Sequence, residues 1–345
     1  MSLIPILEQP IIDEFLPKEF PHLYASSASS KPSPTGPTLG ACNRKEWFRL
    51  NNIPPSDKGT LRRNIIFSCG NSIEDEVIAQ FKRQQSAFIA DHIKMFDYKS
   101  KWSCEIDLLA LDSNSIPSIV EIKSFAGYYN KKTLTGKDGS PKEANIMQIA
   151  LYLYLKDIAE ILPRKTEPQY SITSVKEVLR TQVNHGYLIY INREAPEELI
   201  EFKVTLSKGR ISYKNMEGRS FSFGDIGDIL SRGEGLLKFY SEKIPPPRDF
   251  FGQYSKEDLS TRYDNDKMNK AEKAIYENKG WVSSGDWQCR YHKNRETGAH
   301  EYLYCPYGNL CESVDNETFI LEDNVLPFIP KLNEGKDNII EIENE

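Results

Sequence analysis

EIDLLALD at residues 105–112 and SIVEIKS at residues 118–124 are the two segments that decide the fold of this chain. Polar and apolar residues alternate along both, which predicts two strands, and SNSIP between them predicts a hairpin turn. Because strand side chains alternate between faces, Glu121 and Lys123 point the same way. In the register that also brings Asp107 to that face, the Cβ atoms of Asp107 and Glu121 lie about 5 Å apart.

The pair Asp107 and Glu121 is a candidate metal site. Two carboxylates this close repel each other unless a cation lies between them, and their oxygen atoms suit Mg²⁺ or Mn²⁺. Glu74 is a candidate third ligand, in a helix predicted to begin near Asn71. The dipole of a helix also favours an acid in its first turn, without any metal. Together with Lys123, these groups predict a metal-dependent phosphodiesterase.

A second set of polar side chains lies on the helix predicted for residues 144–162. Gln148 and Tyr152 are four residues apart, so they share one face of that helix. An amide and a phenol can hydrogen-bond a phosphate or hold the lysine in place. Ordinary polar residues on a helix flank would show the same spacing, and only their position after the hairpin favours the functional interpretation.

The composition is that of an ordinary folded protein. With 345 residues, 39% hydrophobic and 27% charged, the chain can bury a substantial core. No apolar run is long enough to span a membrane, and the N-terminus lacks the basic start of a secretory signal. We therefore expect no membrane partner and a cytoplasmic location, in the host cytoplasm if the chain is viral.

The net charge of −6 argues against a protein coated in basic surface. Clustering matters more than the sum, however, and basic residues do cluster near the hairpin. Arg44, Lys131 and Lys132 are therefore candidate contacts for nucleic acid. Solvated loop lysines would give the same pattern.

Composition also divides the chain into four predicted regions: an N-terminal extension or linker at 1–40, a core at 41–280, a cysteine-rich segment at 281–315 and an acidic tail at 316–345. Periodicity within the core predicts helices and strands around a polar loop at 127–143. The predicted helices are 41–50, 71 onward, 144–162 and 223–243, and the predicted strands are 87–98, 105–112, 118–124, 187–193, 199–206 and 210–214.

The six cysteines indicate metal ligands or buried thiols, because a cytoplasmic chain is not expected to carry a disulfide framework. One possible ligand set would hold an iron–sulfur cluster: Cys42, Cys289, Cys305 and Cys311. Exchanging Cys42 for His292 gives a zinc set, since Cys289-Arg-Tyr-His292 has chelating spacing. The remaining two, Cys69 and Cys104, lie in apolar-flanked segments and are predicted to be core thiols.

In their order along the chain, these motifs resemble RecB-type nucleases of the PD-(D/E)XK superfamily. The similarity is to the iron–sulfur branch, which includes the CRISPR-associated exonucleases and the nuclease domains of AddB-type helicase–nucleases. It extends from about residue 38 to residue 312. The matching features are Cys42, Gly70-x-x-x-Glu74, Asp107, Glu121-x-Lys123, Gln148-x-x-x-Tyr152, the proline run 245–247, and Tyr304-Cys305-Pro306-Tyr307 followed by Cys311.

The resemblance implies an α/β fold with a mixed central β-sheet flanked by helices, as in restriction endonucleases, and an iron–sulfur subdomain formed by both chain ends. It also implies a metal-dependent DNA exonuclease that acts on single-stranded or end-containing DNA. By position, Asp107 and Glu121 would bind the metal together with the Ile122 carbonyl. Lys123 would orient the attacking water or stabilise charge, and Gln148 and Tyr152 would support the lysine and the DNA backbone.

By the same resemblance, the four cysteines would hold a [4Fe–4S] cluster. Two departures matter: many members carry histidine at the position of Glu74, and fifteen residues separate Cys289 from Cys305 where the family usually has two. This insertion leaves His292 where a cysteine is expected, which keeps Zn²⁺ as the alternative. The alternative function is a non-catalytic nucleic-acid or protein-binding subunit, and a helicase or another DNA-processing protein is a possible partner.

Overall fold

The structure is a computed structural model, and it describes residues 22–31, 38–56, 61–135, 138–163, 172–266, 268, 270–282, 285–289, 291–293, 300–302, 305–317 and 319. For some of these it describes only the backbone: 61–64, 162, 163, 172, 287, 292, 293 and 301. The predicted acidic tail therefore lies almost entirely outside the described residues.

Groups of consecutive strands are separated by helices along the described chain. The strands are β1 (Leu23–Tyr24), β2 (Ser29–Ser30), β3 (Leu39–Gly40), β4 (Phe88–Phe96), β5 (Trp102–Leu111), β6 (Pro117–Phe125), β7 (Glu160–Pro163), β8 (His185–Asn192), β9 (Ala195–Ser207), β10 (Arg210–Lys214), β11 (Ser220–Asp225), β12 (Tyr291–Lys293) and β13 (His300–Tyr302). The helices are α1 (Asn43–Leu50), α2 (Leu61–Arg83), α3 (Tyr128–Thr135), α4 (Glu143–Ile158), α5 (Ile172–Thr181), α6 (Ile226–Ser241), α7 (Lys256–Asp264), α8 (Lys270–Lys279) and α9 (Gly308–Asp315).

A large mixed sheet forms the centre of the fold. Its strand order is β11-β10-β9-β8-β6-β5-β4-β7, and β1 adds to β5 off this path. The pairs β6–β8 and β1–β5 are parallel, and the other neighbours are antiparallel. Helix α4 packs in the main core, whereas α2 covers a smaller core with Leu108, Val120 and Ile122. The predicted mixed sheet flanked by helices is confirmed at this level.

The central hairpin forms as predicted. Leu111 pairs with Pro117, and the ladder runs to Leu108 opposite Val120. The Asp112 side chain accepts hydrogen bonds from the N–H groups of Asn114 (2.8 Å) and Ile116 (3.0 Å). Short polar side chains close turns in this way because they supply acceptors for backbone donors that the ladder leaves over.

Several predicted elements have different bounds. Helix α4 ends at Ile158 rather than at residue 162, because β7 leaves it to pair with the edge of β4, where Ile161 faces Met95. Helix α2 begins at Leu61, so Glu74 lies well inside it and not in its first turn. The predicted loop 127–143 contains α3, and the predicted helix 223–243 begins only at Ile226, after β11.

Part of the predicted N-terminal extension belongs to the core. Residues Leu23 and Tyr24 pair with β5, and Leu23, Ala25 and Ala28 are buried. These small and aliphatic side chains fill space beside the main sheet. The composition of this segment predicted a linker, but its packing against β5 makes it part of the core. None of the helices in the described part of the chain has the length and hydropathy needed to cross a lipid bilayer.

Gly40 marks a close approach between β3 and α4. It has φ +83, and a Cβ added there would meet the Ala28 carbonyl oxygen and the Met147 Cε atom. Only glycine fits, since an L side chain would be strained by the left-handed backbone and would also collide with its neighbours. This contact therefore fixes the chain next to Cys42 against the helix that carries Gln148.

We expect Gly40→Ala to lower the free energy of unfolding by about 2–5 kcal/mol, through backbone strain and overpacking together. Gly218→Ala is the matched control, because Gly218 also has positive φ (+77) but has no atom within 4 Å of the added Cβ. It should cost only about 1–2 kcal/mol, the strain alone. Equal losses in urea denaturation would contradict the close approach.

Candidate functional site

Asp107 and Glu121 meet at the buried end of the β5–β6 ladder. Continuing the register beyond Leu108 and Val120 places Asp107 across from Glu121. The Ile122 N–H donates a hydrogen bond of 2.8 Å to Asp107 Oδ2. The exposed fraction is 8% for Asp107 and 0% for Glu121, so both carboxylates lie out of bulk water.

The surroundings of Asp107 disfavour its charged form. Burial raises the pKa of Asp107 well above its usual range, and the charge of Glu121 raises it further. The Lys123 ammonium and the Ile122 N–H act in the opposite direction without reversing the shift. A buried acidic pair of this kind is relieved when a cation comes close.

Lys123 supplies positive charge at this point in the structure. Its ammonium forms an ion pair with Glu121 Oε1. Burial acts to lower the pKa of Lys123, but the charges of Glu121 and Asp107 outweigh burial and raise it. Lys123 is therefore a permanently charged group between two acids.

Tyr152 of α4 contacts the oxygen of Glu121 that Lys123 does not, and Gln148 contacts Tyr152. The Tyr152 hydroxyl lies 2.9 Å from Glu121 Oε2 and 2.9 Å from the Glu105 carbonyl oxygen, and its single proton serves one of them at a time. Gln148 Nε2 donates to the same hydroxyl at 2.5 Å. Burial raises the pKa of Tyr152 well above its usual value, so the phenol stays a donor. The structure thus brings the predicted polar pair to the acidic site.

Glu74 also faces this site. Burial raises the pKa of Glu74, and the next influences on it are the charges of Lys123, which lowers it, and Glu121, which raises it. Its neighbour Glu76 is exposed and accepts from Gln80 and Arg83 instead. Among the acids of this helix segment, Glu74 is therefore the one whose charge is felt by the Asp107–Glu121 pair.

His92 is a residue of this region that the sequence does not reveal. The pairs Asp91–Leu108 and Ile93–Ile106 place it across from Asp107, and it has φ 48 in the middle of β4. Its Nδ1 atom lies 3.2 Å from Glu105 Oε1. A left-handed non-glycine residue inside a strand is strained, and such strain concentrates at functional sites. No periodicity or motif marks His92 in the sequence, because what distinguishes it is a positive φ angle, which only the structure shows.

The donor set suits a divalent ion, but the oxygen atoms already have partners. Among the described residues, no group of three or more histidines, cysteines or acids has an arrangement that could hold a metal ion. Lys123 and Tyr152 take the two oxygens of Glu121, and Ile122 takes one oxygen of Asp107. The residues therefore fit Mg²⁺ or Mn²⁺ by chemistry, with Lys123 having to release Glu121 first.

The structure brings the four predicted cluster cysteines into one electrostatic neighbourhood. Burial raises the pKa of Cys42 to about 11 and that of Cys289 to about 12. The charge of Cys305 raises both further. Burial raises the pKa of Cys311 above its usual value, and the charges of Cys42 and Cys305 add to this. Thiols from both ends of the chain are therefore within electrostatic reach of one another, although no three of them in the described structure have an arrangement that could hold a metal ion. The side chain of His292, the zinc alternative, lies outside the described residues.

Arginine side chains surround these cysteines. Arg44 is buried, donates to the Pro246 carbonyl (2.7 Å) and pairs with Asp315, and Arg248 pairs with the same carboxylate. Burial acts to lower the pKa of Arg248, but the charges of Cys311, Asp315 and other neighbours outweigh burial and raise it. Arg44 is therefore not an accessible contact for nucleic acid, which corrects that prediction. Its fixed role in joining the chain ends explains why it is buried.

The other predicted basic contacts stay at the surface. Lys131 and Lys132 lie on α3, and Lys131 pairs with Glu198 at 2.6 Å while remaining partly exposed. Cys104 is buried as predicted, but Cys69 is exposed on α2, so its prediction as a core thiol is wrong. The apolar neighbours of Cys69 in the sequence, Ile66 and Phe67, are themselves exposed, which is why flanking hydrophobicity misled.

No family model matches this chain, and no curated protein matches it either. A solved structure described as the crystal structure of SSO0001 aligns with 70% of this chain and with 83% of its own chain, at a TM-score of 0.32 and 11% sequence identity. A likeness this weak carries no argument about fold or activity. The comparisons therefore do not show that the chain belongs to the nuclease family that its motifs resemble.

We expect Asp107→Asn to stabilise the metal-free protein by about 0.5–2 kcal/mol at pH 7, because it removes one of two buried charges that repel. The folded state raises the pKa of Asp107, so the wild type loses stability as pH rises above the unfolded value of about 4. The stability gained by the variant should therefore vanish near pH 4. Chemical denaturation in EDTA at several pH values measures the difference in the free energy of unfolding between variant and wild type.

Asp112→Asn is the control, because the folded state lowers the pKa of Asp112 whereas it raises that of Asp107. Burial acts to raise the pKa of Asp112, but hydrogen bonds from Ile116 and Asn114 outweigh it and lower the pKa. Its contribution to stability is present above the unfolded pKa and is lost as pH falls, so the substitution should destabilise at pH 7. The repulsion at Asp107 would be disproved if both variants lost stability at neutral pH.

Proposed function

We propose that this chain is a metal-dependent deoxyribonuclease that hydrolyses phosphodiester bonds, acting on single-stranded or end-containing DNA. The observation that carries the proposal is the buried pair Asp107 and Glu121 with the Lys123 ammonium against it. Two acids and a lysine in water-poor surroundings are costly to a fold, and they match the needs of a reaction that gathers negative charge. The resemblance of the ordered motifs to RecB-type nucleases supports the same activity.

Asp107, Glu121 and the Ile122 carbonyl are the groups that would hold Mg²⁺ or Mn²⁺, with Glu74 as a further candidate. When bound, such an ion lowers the pKa of a water molecule and neutralises charge on the phosphate oxygens. The protein's own groups must first rearrange, because Lys123 pairs with Glu121. We propose that Lys123 moves from Glu121 toward the phosphate when the site is loaded, where its charge stabilises the transition state.

Tyr152 and Gln148 act as positioning residues in this proposal. The Tyr152 hydroxyl is within hydrogen-bond distance of Glu121 Oε2, and the amide of Gln148 holds that hydroxyl in turn. The chain of two hydrogen bonds fixes one oxygen of Glu121 and leaves the other to exchange partners. Lys131, Lys132 and the exposed rings of Tyr128 and Tyr129 are the candidate contacts for the DNA strand.

We also propose that Cys42, Cys289, Cys305 and Cys311 hold a [4Fe–4S] cluster with a structural role. The partly buried Cys42 and the buried Cys289, Cys305 and Cys311 influence one another's pKa. Burial disfavours their thiolate forms, and the charges of Arg44 and Arg248 offset part of that cost, as a bound iron–sulfur cluster would. Zinc on Cys289, His292, Cys305 and Cys311 remains the alternative. The cluster would join both ends of the chain, with a helicase or another DNA-processing protein as a possible partner.

We expect wild-type protein with Mg²⁺ or Mn²⁺ to release nucleotides from DNA, and Asp107→Asn or Lys123→Ala to lower the rate at least about 100-fold. Glu74→Gln should lower it if Glu74 is a ligand. Glu76→Gln is the matched control, two residues away on the same helix but exposed, and should leave the rate unchanged. Hydrolysis is followed by acid-soluble release from labelled DNA.

Equal residual hydrolysis in wild type and Asp107→Asn would indicate a contaminating nuclease and would favour the non-catalytic binding subunit. Activity that resists EDTA would also overturn the proposed mechanism, because the acidic pair has no other cation than Lys123 in the described structure.

For the second site, we expect about four iron and four acid-labile sulfide ions per chain after anaerobic purification. Cys311→Ser should lose them, whereas Cys69→Ser, which alters an exposed thiol, should keep them. One zinc ion per chain with no sulfide, retained in Cys42→Ser and lost in His292→Ala, would replace the cluster by the zinc set.

A further inference from the structure

Exposed apolar side chains lie on two helices near the end of β6. Tyr128 and Tyr129, at the start of α3, have exposed fractions of 70% and 83%. Ile65, Ile66 and Phe67 on α2 are exposed as well. Folding does not require five large apolar side chains in water, and a group of them indicates a binding surface. We call Tyr128 and Tyr129 the tyrosine platform.

Backbone contacts tie both helices to the strand that carries Lys123. The platform begins five residues after Lys123, and the Gly127 N–H before it donates to Glu194 (3.0 Å). The Arg193 N–H donates to the Phe125 carbonyl (2.8 Å), and its guanidinium reaches the Ile66 carbonyl of α2 (3.5 Å). The exposed side chains therefore lie on two helices that are tied to the end of β6, the strand that carries Glu121 and Lys123.

The charges beside the platform decide what chemistry fits it. Lys131 and Lys132 follow it on α3, and Arg193 bridges the end of β6 and α2. Two acids lie among these cations, since Glu198 pairs with Lys131 and Glu194 accepts from the Gly127 N–H.

The rings of Tyr128 and Tyr129 contact each other edge to face, with centroids 5.7 Å apart, and both remain largely exposed. Cations for phosphates and rings for bases are the two parts of a single-strand binding surface. A duplex offers no free base faces, because its bases already stack on one another.

We propose that the tyrosine platform stacks unpaired bases of the strand whose phosphate enters the acidic site, and so makes the enzyme select single-stranded DNA. This inference rests on the proposed nuclease function for its role, but binding itself needs no cleavage. Tyr128 and Tyr129 are specificity-determining residues in this scheme. They recognise bases without regard to sequence, since every base has a stacking face.

Binding in EDTA, where no metal-dependent cleavage occurs, tests the platform. Fluorescence anisotropy compares a labelled oligothymidine, an abasic strand of equal length and a duplex. We expect the wild type to bind the oligothymidine about 5- to 100-fold more tightly than the abasic strand. The double variant Tyr128→Ala/Tyr129→Ala should bind both equally, and Tyr128→Phe/Tyr129→Phe should keep the difference, because phenylalanine preserves the ring.

Two controls separate stacking from charge and from general loss of an exposed ring. Lys132→Ala should weaken binding of both single strands by the same factor and reduce the salt dependence. Tyr98→Ala removes an equally exposed tyrosine from the β4–β5 turn and should change nothing. Since all these side chains are exposed, the variants should fold, which thermal denaturation checks.

The proposal is overturned if the wild type binds abasic and base-containing strands equally, or if the double alanine variant keeps the preference. Such a result would leave the exposed rings as a contact for a protein partner. Base-dependent binding without any Mg²⁺- or Mn²⁺-dependent cleavage would instead rule out the nuclease function and still support base stacking on the platform. Metal-dependent cleavage without base-dependent binding would support the nuclease function and rule out the platform.

Discussion

The hydrogen bond from the Ile122 N–H to Asp107 Oδ2 determines where the two acidic strands meet. The backbone ladder between β5 and β6 runs to Leu108 and Val120, and at the next position a side chain takes over as acceptor. A buried N–H must have a partner, so Asp107 cannot leave without exposing a donor to an apolar core. A slip of one residue would turn Glu121 toward the core under α2, where Ile122 now packs.

This arrangement buries two acidic side chains, Asp107 and Glu121, in the sheet. Neighbouring groups stabilise them. Lys123 neutralises Glu121 on one oxygen, and Tyr152 of α4 lies against the other. These partners lower the repulsion but do not remove it, since burial and Glu121 still raise the pKa of Asp107. A fold that only needed stability would place apolar residues here, which is why the repulsion is best understood as serving the site.

Periodicity was sufficient to predict the hairpin and the existence of α4, because each buries one continuous face that shows in the sequence, whereas the mixed sheet was expected from the family resemblance. Periodicity failed where tertiary contacts decide: β7 ends the long helix early by joining the edge of β4, and α3 forms in a polar segment. In the site, the acids, the lysine and the α4 pair follow from spacing. His92 does not, because a strained backbone angle leaves no pattern, and Arg44 was misjudged because buried and exposed arginines look alike in sequence.

Helix α4 links the two regions that the chain treats as separate in sequence. Met147 lies against Gly40, two residues before Cys42, and the next residue along the helix is Gln148, which holds Tyr152. Asp249 accepts from the Asn43 N–H (2.7 Å) and pairs with Arg232, so the start of α1 is fixed from a third direction. Loosening the cysteine region would therefore release β3, and with β3 the face of α4 that positions Glu121. If the proposed cluster forms, it can affect the rate without taking part in the reaction, because the neighbouring β3 packs on the helix that carries Gln148 and Tyr152.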